Sequence, residues 1–443
     1  MEKKLVVIGG GAAGFFCAVN AARSNPELQV IIVERNNKVL SKVKVSGGGR
    51  CNVTHACFDV DELILKYPRG KHFVKKSFNW FSTTDTVEWF SQRGVALKTE
   101  ADNRMFPVTD DSQTIIDCLM AEAKKYKVKI WLSTSATSIA RIKNEFSIII
   151  NDGKILQANY VCVASGGFPK SIHFDWLTRL GHIIAEPVPS LFTFNMPNNK
   201  ITELMGVSVD NVNVRIAGAK WKNSGPILIT HWGLSGPAIL KLSAWAARHL
   251  AMVNYQFAVI INWLGGITEI ELKDQFTGYR FSLAPQKMSS KNPLGLPNRL
   301  WLYFLGLSGI AEETRWADLP SAPQYRLIRL LTQQELAING KTTFKEEFVT
   351  SGGIALNEIN ANTMESKVIK NLFFAGEVMD VDGVTGGFNF QHAWTTGWLA
   401  AKTITEKITG KEDTINEKMV EENHLVDIKK PSKIDDPNNW VAA

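Results

Sequence analysis

A glycine-rich turn near the start of the chain constrains the fold more than any other feature of the sequence. Gly9, Gly11 and Gly14 follow the apolar segment 5–8 and open a stretch with helical spacing. In such a unit the first glycine permits a tight turn, the second lets a pyrophosphate approach the backbone, and the third lets the helix pack on the strand. A second apolar strand ends at Glu34, where a carboxylate can accept hydrogen bonds from ribose hydroxyls. The pattern predicts a dinucleotide-binding βαβ unit.

The composition is that of a globular chain and argues against several classes of protein. The 443 residues suffice for two or three domains, and no apolar run has the length of a membrane span. The five cysteines are odd in number and none are spaced as CxxC, so we expect neither a disulfide framework nor a metal site. We see no targeting or lipidation signal and expect a cytoplasmic protein. The net charge of +7 weakly indicates an anionic partner such as nucleic acid.

The pattern of predicted helices and strands changes twice along the chain. Residues 1–189 mix helical and strand patterns, and the same mixture returns in residues 351–410. Residues 190–350 alternate like a β-barrel and have helical spacing over about 268–338. The tail, residues 411–443, is polar, which favours flexibility. We therefore predict an α/β fold with a split Rossmann-like domain and an inserted β-barrel-like domain that carries a helical subdomain.

Two later segments indicate that the dinucleotide is FAD rather than NAD. Residues 161–167 and 372–377 resemble strands of the two-dinucleotide-fold flavoproteins, in which an acid after the late strand meets the ribityl chain of FAD. Glu377 holds that position here. No second glycine fingerprint follows a strand elsewhere, so NAD(P)H, as the expected hydride donor, would bind only transiently.

Further segments carry a more specific resemblance. They are residues 44–54 (KVSGGGRCNVT), 104–108 (RMFPV), 230–237 (THWGLSGP) and 376–391 (GEVMDVDGVTGGFNFQ). Over about residues 1–405 the chain resembles the BaiN-like FAD-binding flavoproteins, also described as YhiN-type or aminoacetone oxidase-like. His55 stands where that family usually has Asn, and Phe388 where it usually has Tyr. None of these departures removes a phosphate-cradling glycine.

The glycine pattern and the resemblance together predict a set of FAD-binding residues. Glycines at 47–49 and 386–387 can bring the backbone close to phosphates or to the flat flavin ring. Arg50 can offset pyrophosphate charge. Asn389 and Gln391 could bond to the polar flavin edge, although Asn389 could instead cap a helix. The predicted set is Gly9, Gly11, Ala12, Ala13, Gly14, Glu34, Arg35, Lys42, Ser46, Gly47, Gly48, Arg50, Cys51, Asn52, Ala136, Ala164, Ser165, Gly166, Gly376, Glu377, Gly386, Gly387, Phe388, Asn389 and Gln391.

Catalytic groups are harder to derive from the sequence, because the flavin itself carries the hydride chemistry. Cys51 lies in the glycine loop, His231 follows a strand of the inserted domain, and His392 begins a helix beside the flavin segment. Each is a candidate proton donor. The alternatives are a small buried residue for Cys51 and structural hydrogen bonds for the two histidines.

The resemblance implies an FAD-dependent oxidoreductase and leaves the substrate open. The leading hypothesis is reduction of a polarised C=C bond in a uridine of ribosomal RNA, which would give dihydrouridine. The alternatives are a small-molecule enone reductase, an amine oxidase, and a non-catalytic module that keeps FAD for structure while binding RNA or protein. Residues 69–81 interleave basic and aromatic side chains, which could hold phosphates and stack bases, or could form an amphipathic helix with buried aromatics.

Overall fold

A computed structural model describes residues 3–151, 153–342 and 349–410. Its helices are α1 Ala12–Ser24, α2 Ser41–Gly49, α3 Val60–Ile64, α4 Lys71–Phe78, α5 Thr83–Ser91, α6 Gln113–Lys125, α7 Asp175–Thr178, α8 Pro237–Met252, α9 Glu269–Ser282, α10 Asn298–Ser308, α11 Ser321–Gln333 and α12 Phe388–Thr409. Its strands are β1 Lys4–Ile8, β2 Gln29–Val33, β3 Thr54–His55, β4 Leu97–Thr99, β5 Arg104–Pro107, β6 Lys129–Trp131, β7 Ala136–Ile142, β8 Glu145–Ile150, β9 Lys154–Ala158, β10 Tyr160–Val163, β11 Ile184–Ser190, β12 Thr193–Asn195, β13 Ser208–Ile216, β14 Lys222–Thr230, β15 Gly233–Ser235, β16 Gln256–Asn262, β17 Gln334–Asn339, β18 Lys341–Thr342, β19 Val349–Ile354 and β20 Leu372–Phe374.

A five-stranded parallel sheet forms the centre of the α/β part of the structure, in the order β20-β10-β1-β2-β6. The side chains of Leu5, Val6 and Val7 are fully buried, as expected for a parallel strand covered on both faces. Helix α1 packs on α12, so the first and last parts of the chain share one core. This arrangement confirms the predicted Rossmann-like α/β fold.

Two smaller antiparallel sheets accompany the parallel sheet. Strands β3, β5 and β4 form one of them, and β7, β8 and β9 form the other. Strands β8 and β9 pair as neighbours along the chain. Both sheets place loops beside the ends of the parallel strands, where the cavity described below lies.

The inserted region has its own sheet and its own core. Seven strands pair in the order β17-β16-β13-β14-β15-β12-β18, and all these pairs are antiparallel. Helix α8 covers this sheet, and α9, α10 and α11 enclose the buried Trp263, Trp301 and Trp316. Strands β11 and β19 pair antiparallel where the chain enters and leaves the region.

The predicted helical stretch over about 268–338 differs from the structure at its end. The stretch contains α9, α10 and α11, but helix α11 ends at Gln333. Residues 334–339 form β17, whose side chains alternate between buried and exposed. That period of two matches a sheet with one buried face and overrides the helical spacing before it. The predicted flexible tail, residues 411–443, lies outside the described residues.

None of the helices in the described part of the chain combines the length and the apolar character needed to cross a membrane.

Candidate functional site

A cavity of about 980 Å³ opens at the carboxyl ends of the parallel strands, which is where open α/β sheets bind their ligands. Most of the predicted FAD-binding residues meet there, together with one predicted proton donor. The lining members of the predicted sets are Gly9, Gly11, Ala12, Ala13, Glu34, Arg35, Lys42, Ser46, Gly47, Gly48, Asn52, Ala136, Ala164, Ser165, Gly166, Gly376, Glu377, Gly386, Gly387, Asn389 and His392. The members that do not line it are Gly14, Arg50, Cys51, His231, Phe388 and Gln391.

The three fingerprint glycines have different surroundings. A Cβ at Gly9 would lie 2.3 Å from the carbonyl oxygen of Ala164, and a Cβ at Gly14 would lie 2.0 Å from the carbonyl oxygen of Gly9. These two glycines therefore permit close packing of strand, turn and helix. A Cβ at Gly11 would meet nothing within 4 Å. Gly11 instead leaves space on the cavity side, as a pyrophosphate at the N-terminus of α1 requires.

Glu34 is held at the end of β2 by three hydrogen bonds. Its Oε2 accepts from the backbone N–H of Gly10 at 2.8 Å, and its Oε1 accepts from the backbone N–H and side-chain amide of Asn36 at 2.8 and 2.7 Å. A carboxylate offers about four acceptor sites, so one remains on Oε2. Because Glu34 lines the cavity, that site can accept a ribose hydroxyl.

The glycine loop after β2 interrupts α2 rather than continuing it. Gly47 and Gly48 have φ of +58° and +71°, a left-handed conformation that glycine adopts without steric cost. A Cβ at Gly48 or Gly49 would meet nothing within 4 Å. The loop therefore presents bare backbone, and Gly47 and Gly48 present it to the cavity.

Cys51 does not point into the cavity, contrary to its prediction as a flavin-side proton donor. Its side chain is fully buried, and burial raises the pKa of the thiol to about 12, although a hydrogen bond with Ser46 opposes the rise. The thiol stays neutral and has no surface on the cavity. Packing beneath the loop is the role that this position supports.

Arg50 also lies outside the cavity. Its guanidinium donates to Glu100 at 2.5 Å and lies over the ring of Phe106, 4.1 Å from the ring centroid. Its charge is balanced by this carboxylate and by Asp110 at 3.5 Å. The structure does not place Arg50 against a pyrophosphate.

Glu377 follows the end of β20, the strand that pairs with β10. Its Oε2 accepts from the ammonium group of Lys42 at 2.7 Å, and its Oε1 accepts from the backbone N–H of Thr350 at 2.9 Å. The side chains of Glu377 and Lys42 line the cavity beside Gly166 and Gly376. The predicted ribityl-side acid is thus held in place from two directions.

Two buried polar groups on the cavity have no hydrogen-bond partner among the described residues. They are the hydroxyl of Ser165 and both ring nitrogens of His392. Burial lowers the pKa of His392 to about 4, although the nearby backbone of Gly376 opposes the fall, so the ring is neutral at physiological pH. Because buried polar groups are normally satisfied, these atoms call for a polar ligand in the cavity. The bare glycines and these unpartnered atoms fit FAD.

The turn before α12 is set by close packing. A Cβ at Gly387 would lie 2.6 Å from the backbone of Thr54, which leaves room only for glycine. The side-chain amide of Asn389 accepts from Gly383 N–H at 2.8 Å and donates to Gly383 O at 3.0 Å. Asn389 therefore stabilises this turn while one of its surfaces lines the cavity.

Gln391 and Phe388 lie behind the turn. Gln391 is fully buried, accepts from the hydroxyl of Thr54 at 2.6 Å, and donates to the hydroxyl of Thr395 at 3.1 Å. Phe388 packs on the ring of His55 at 4.6 Å between centroids. Neither side chain reaches the cavity. Their packing supports the turn from the side away from the cavity.

His231 is exposed and packs on Trp232, with ring centroids 4.0 Å apart. It does not line the cavity, so the structure does not support it as a proton donor there.

The inserted region contributes a wall that the sequence analysis did not identify in full. This inserted-domain wall consists of Leu191, Thr193, Ser235, Pro237, Leu240, Thr342 and Val349. None of these side chains is charged. Ser235 and Pro237 fall in the motif 230–237, which was the available signal, whereas the other members come from separate strands and helices.

Two arginines hold helix α8 of the inserted region against the segment that leads to the Gly386–Gly387 turn. Arg69 donates to the buried carboxylate of Asp382 and to the carbonyl oxygen of Ala244 in α8. Arg248 of α8 donates to both carboxylate oxygens of Asp380, at 2.6 and 2.7 Å. These bonds hold the middle and second half of α8 against Asp380 and Asp382, while the start of the same helix carries the wall residues Pro237 and Leu240.

The basic and aromatic segment 69–81 forms an amphipathic helix and a buried turn. Phe73, Phe78 and Phe81 are buried in the core, so these three rings cannot stack on bases, which favours the amphipathic-helix interpretation of the segment. Lys75 and Lys76 remain exposed on the opposite face. The apolar face is buried because it packs against α12.

Among the described residues, no group of histidines, cysteines and acids is arranged to hold a metal ion.

Comparison with known proteins gives one family and several full-length relatives. The model of the family described as "HI0933-like protein Rossmann domain" matches residues 3–403. A 3-dehydro-bile acid delta(4,6)-reductase of Clostridium scindens is 28% identical over 416 residues, which are 91% of this chain and 99% of that protein. A ribosomal RNA dihydrouridine synthase of Escherichia coli is 29% identical over 413 residues, which are 90% of this chain and 97% of that protein. A ribosomal RNA dihydrouridine synthase of Haemophilus influenzae is 27% identical over 417 residues, which are 91% of this chain and 98% of that protein.

Proposed function

Because the chain belongs to the HI0933-like Rossmann-domain family and is an FAD-dependent oxidoreductase, we propose that it reduces a polarised C=C bond. We further propose that its substrate is a uridine in ribosomal RNA and its product dihydrouridine. The reaction adds one hydride and one proton across the double bond. NAD(P)H is the proposed source of the hydride and leaves as NAD(P)⁺.

In this proposal FAD and the substrate ring bind on opposite sides of the cavity. Bound FAD supplies the hydride chemistry. Gly11, Glu34, Ser165 and Glu377 would hold its phosphates, ribose and ribityl chain, since they present open space or hydrogen-bonding groups to the cavity. The inserted-domain wall would then hold the substrate ring on the other side.

The observation that carries the proposal is the chemical character of the inserted-domain wall. It offers the hydroxyls of Thr193, Ser235 and Thr342 among apolar side chains, and it has no charge. The hydroxyl of Thr193 donates to Thr342 O and that of Thr342 donates to Asn195 Oδ1, so their oxygens can accept from the N–H of a neutral uracil ring. The hydroxyl of Ser235 can also donate to a carbonyl oxygen of the ring. An ammonium or carboxylate at this wall would lack an opposite charge, which makes an amine substrate the poorer fit.

Relatives support two substrate classes to a similar degree. The bile acid reductase and the two dihydrouridine synthases have nearly equal identity to this chain. A neutral enone would also fit the uncharged wall, so small-molecule enone reduction is the second candidate. The net charge of +7 favours RNA over a small molecule.

Nucleoside analysis of ribosomal RNA tests the proposal. We expect RNA from a strain that lacks this protein to have lost a dihydrouridine, and the wild-type gene to restore it. A gene encoding Gly11→Val, which is expected to lose FAD, should not restore it. Unchanged dihydrouridine content in the deletion strain would rule out the RNA substrate and leave the enone as the candidate.

A further inference from the structure

We propose that the hydroxyl of Ser235, supported by the N-terminus of helix α8, binds the substrate oxygen that becomes negatively charged when the C=C bond is reduced. Uracil and enones share a carbonyl group conjugated with that bond, so both candidate substrates have such an oxygen. The proposal rests on the proposed function, because it assigns a catalytic residue to the same reaction.

The reaction determines where charge develops on the substrate. The hydride adds to the carbon of the C=C bond that lies farther from the carbonyl group. The electron pair of the C=C bond shifts towards the carbonyl group, whose oxygen gains the negative charge, and a proton then adds to the nearer carbon. A hydrogen-bond donor at this oxygen stabilises the transition state, and removal of one such donor slows a reaction by about 100- to 1,000-fold.

The register of strand β15 directs Ser235 towards the cavity. Strand β15 pairs with β12 through Leu234 and Phe194, and both of these side chains are fully buried in the core of the inserted region. Because side chains alternate along a strand, Ser235 points to the opposite face of the sheet. On that face it lines the cavity together with Thr193 of β12.

Glycines on both sides fix the backbone of Ser235. Gly233 and Gly236 have φ of +150° and +96°, and a Cβ at Gly233 would lie 2.1 Å from the carbonyl oxygen of Phe194. A Cβ at Gly236 would lie 2.8 Å from the backbone nitrogen of Leu228. Neither position has room for a side chain, so the serine between them is held in one place relative to the cavity.

Ser235 is the hydroxyl of the inserted-domain wall whose proton is free for a ligand. The hydroxyl of Thr193 donates to the carbonyl oxygen of Thr342 at 3.2 Å, and that of Thr342 donates to Oδ1 of Asn195 at 3.0 Å. The hydroxyl of Ser235 has no acceptor among the described residues. Of these three hydroxyls, it is the one that can donate to a substrate oxygen without giving up a bond within the protein.

Helix α8 adds a positive electrostatic potential beside this hydroxyl. The helix begins at Pro237, two positions after Ser235, and runs for 16 residues. Its first turn has no acidic residue and no capping side chain, so its free N–H groups are not offset there. Pro237 lines the cavity with Ser235, so the positive end of the helix dipole borders the place where the oxygen would lie.

An uncharged wall suits a substrate that is neutral before and after the reaction. A permanent cation at the wall would need a counter-charge in the free cavity, whereas a hydroxyl and a helix N-terminus do not. Their interaction with the oxygen strengthens as its charge develops. Interactions that are stronger in the transition state than in the ground state are those that accelerate a reaction.

Binding of 4-nitrophenol to the FAD-loaded protein tests the site. The anion of this compound has a negatively charged oxygen on a flat ring and absorbs differently from the neutral form, so absorbance across pH gives the pKa of the bound phenol. We expect the wild type to prefer the anion, which makes the pKa of the phenol lower when bound than when free. Ser235→Ala should bind the anion about tenfold more weakly, since a hydrogen bond to a charged group is lost.

Two further variants separate the hydroxyl from general effects. Ser224→Ala removes an exposed hydroxyl of β14 that does not line the cavity, and it should bind the anion like the wild type. Ser235→Thr keeps a hydroxyl and should retain most of the preference. Flavin absorbance per chain should be equal in all variants, which shows that the cavity still holds FAD. A wild type that does not favour the anion, or a Ser235→Ala variant that binds it like the wild type, would overturn the proposal.

The two proposals can fail separately. If Ser235→Ala loses the preference for the anion while the deletion strain keeps its dihydrouridine, the oxygen site stands and uridine reduction falls. If the strain loses dihydrouridine while Ser235→Ala binds 4-nitrophenol like the wild type, uridine reduction stands and the role of Ser235 falls.

Discussion

At the scale of single residues, residues of the same type in one motif have different physical roles. Gly9 and Gly14 are required by contacts within the protein, whereas Gly11 borders open space in the cavity. These surroundings agree with the spacing of the three, because each follows from the local geometry of a strand–turn–helix unit. Cys51 shows the opposite case. Its position in the loop suggested the cavity, but the positive φ of 62° directs the chain so that the thiol is buried.

Gly11→Val should remove FAD and leave the protein folded. The backbone of Gly11 is extended, with φ of −90°, so a valine can adopt it, and its side chain would occupy the space left for the pyrophosphate. We expect a colourless protein whose thermal unfolding matches that of the FAD-free wild type. Absorbance of bound flavin per chain measures the loss. A yellow, fully loaded variant would contradict the position assigned to the pyrophosphate.

Gly14→Ala is the matched control for this variant. Its methyl group would lie 2.0 Å from the carbonyl oxygen of Gly9, so the turn and α1 must move apart. Overpacking of this kind costs about 1–3 kcal/mol. This variant should therefore lose stability in the FAD-free state, whereas Gly11→Val should not.

His392 should make stability depend on pH. Burial lowers its pKa from 6.5 to about 4 in the folded protein, while the unfolded chain keeps the ordinary value. Between these values the unfolded chain binds a proton that the folded protein does not. The free energy of unfolding is therefore full above pH 6.5 and falls as the pH drops towards 4, by about 3 kcal/mol.

His392→Gln removes this titration, so its unfolding free energy should change less with pH than that of the wild type. Urea denaturation of both FAD-free proteins between pH 7 and pH 4 measures the difference. Parallel curves over this range would show that the ring is not buried and neutral as described.

At the scale of elements, one basic residue of segment 69–81 proves to be structural. Arg69 bonds to the fully buried Asp382, which also accepts from the hydroxyl of Ser190 at 2.7 Å. Burial raises the pKa of Asp382, and the charge of Arg69 opposes the rise. Sequence reasoning could not pair these two residues, because they are more than three hundred positions apart and only the fold brings them together.

Asp382→Asn should destabilise the protein by about 3 kcal/mol, because it leaves the guanidinium of Arg69 without its counter-charge in a mostly buried site. Urea denaturation measures the loss. The double variant Arg69→Met with Asp382→Leu should recover part of it, since no isolated charge remains. A double variant no more stable than Asp382→Asn would show that the bonds to Ala244 and Ser190, rather than the charge pair, hold α8 in place.

At the scale of the whole molecule, the chain builds one parallel sheet from its two ends. Strand β20 pairs with β10, so the late segment ending in Glu377 reaches the cavity that the opening fingerprint begins. This was predictable, since apolar strands followed by glycine or an acid are local patterns that recur in order along the chain. The inserted region follows no such pattern, and helix α8 and the wall were not predicted from it.

The sequence by itself determined the dinucleotide fold, because short-range steric rules decide where glycine is required and where a strand turns into a helix. It also identified many of the residues that line the cavity along the first and last thirds of the chain. Only the tertiary structure decided which side chains face that cavity. Cys51, Arg50 and Gln391 lie within two positions of lining residues in sequence, yet packing and ion pairing turn them away. The uncharged wall likewise exists only because distant elements are packed together, since no local pattern encodes a contact between them.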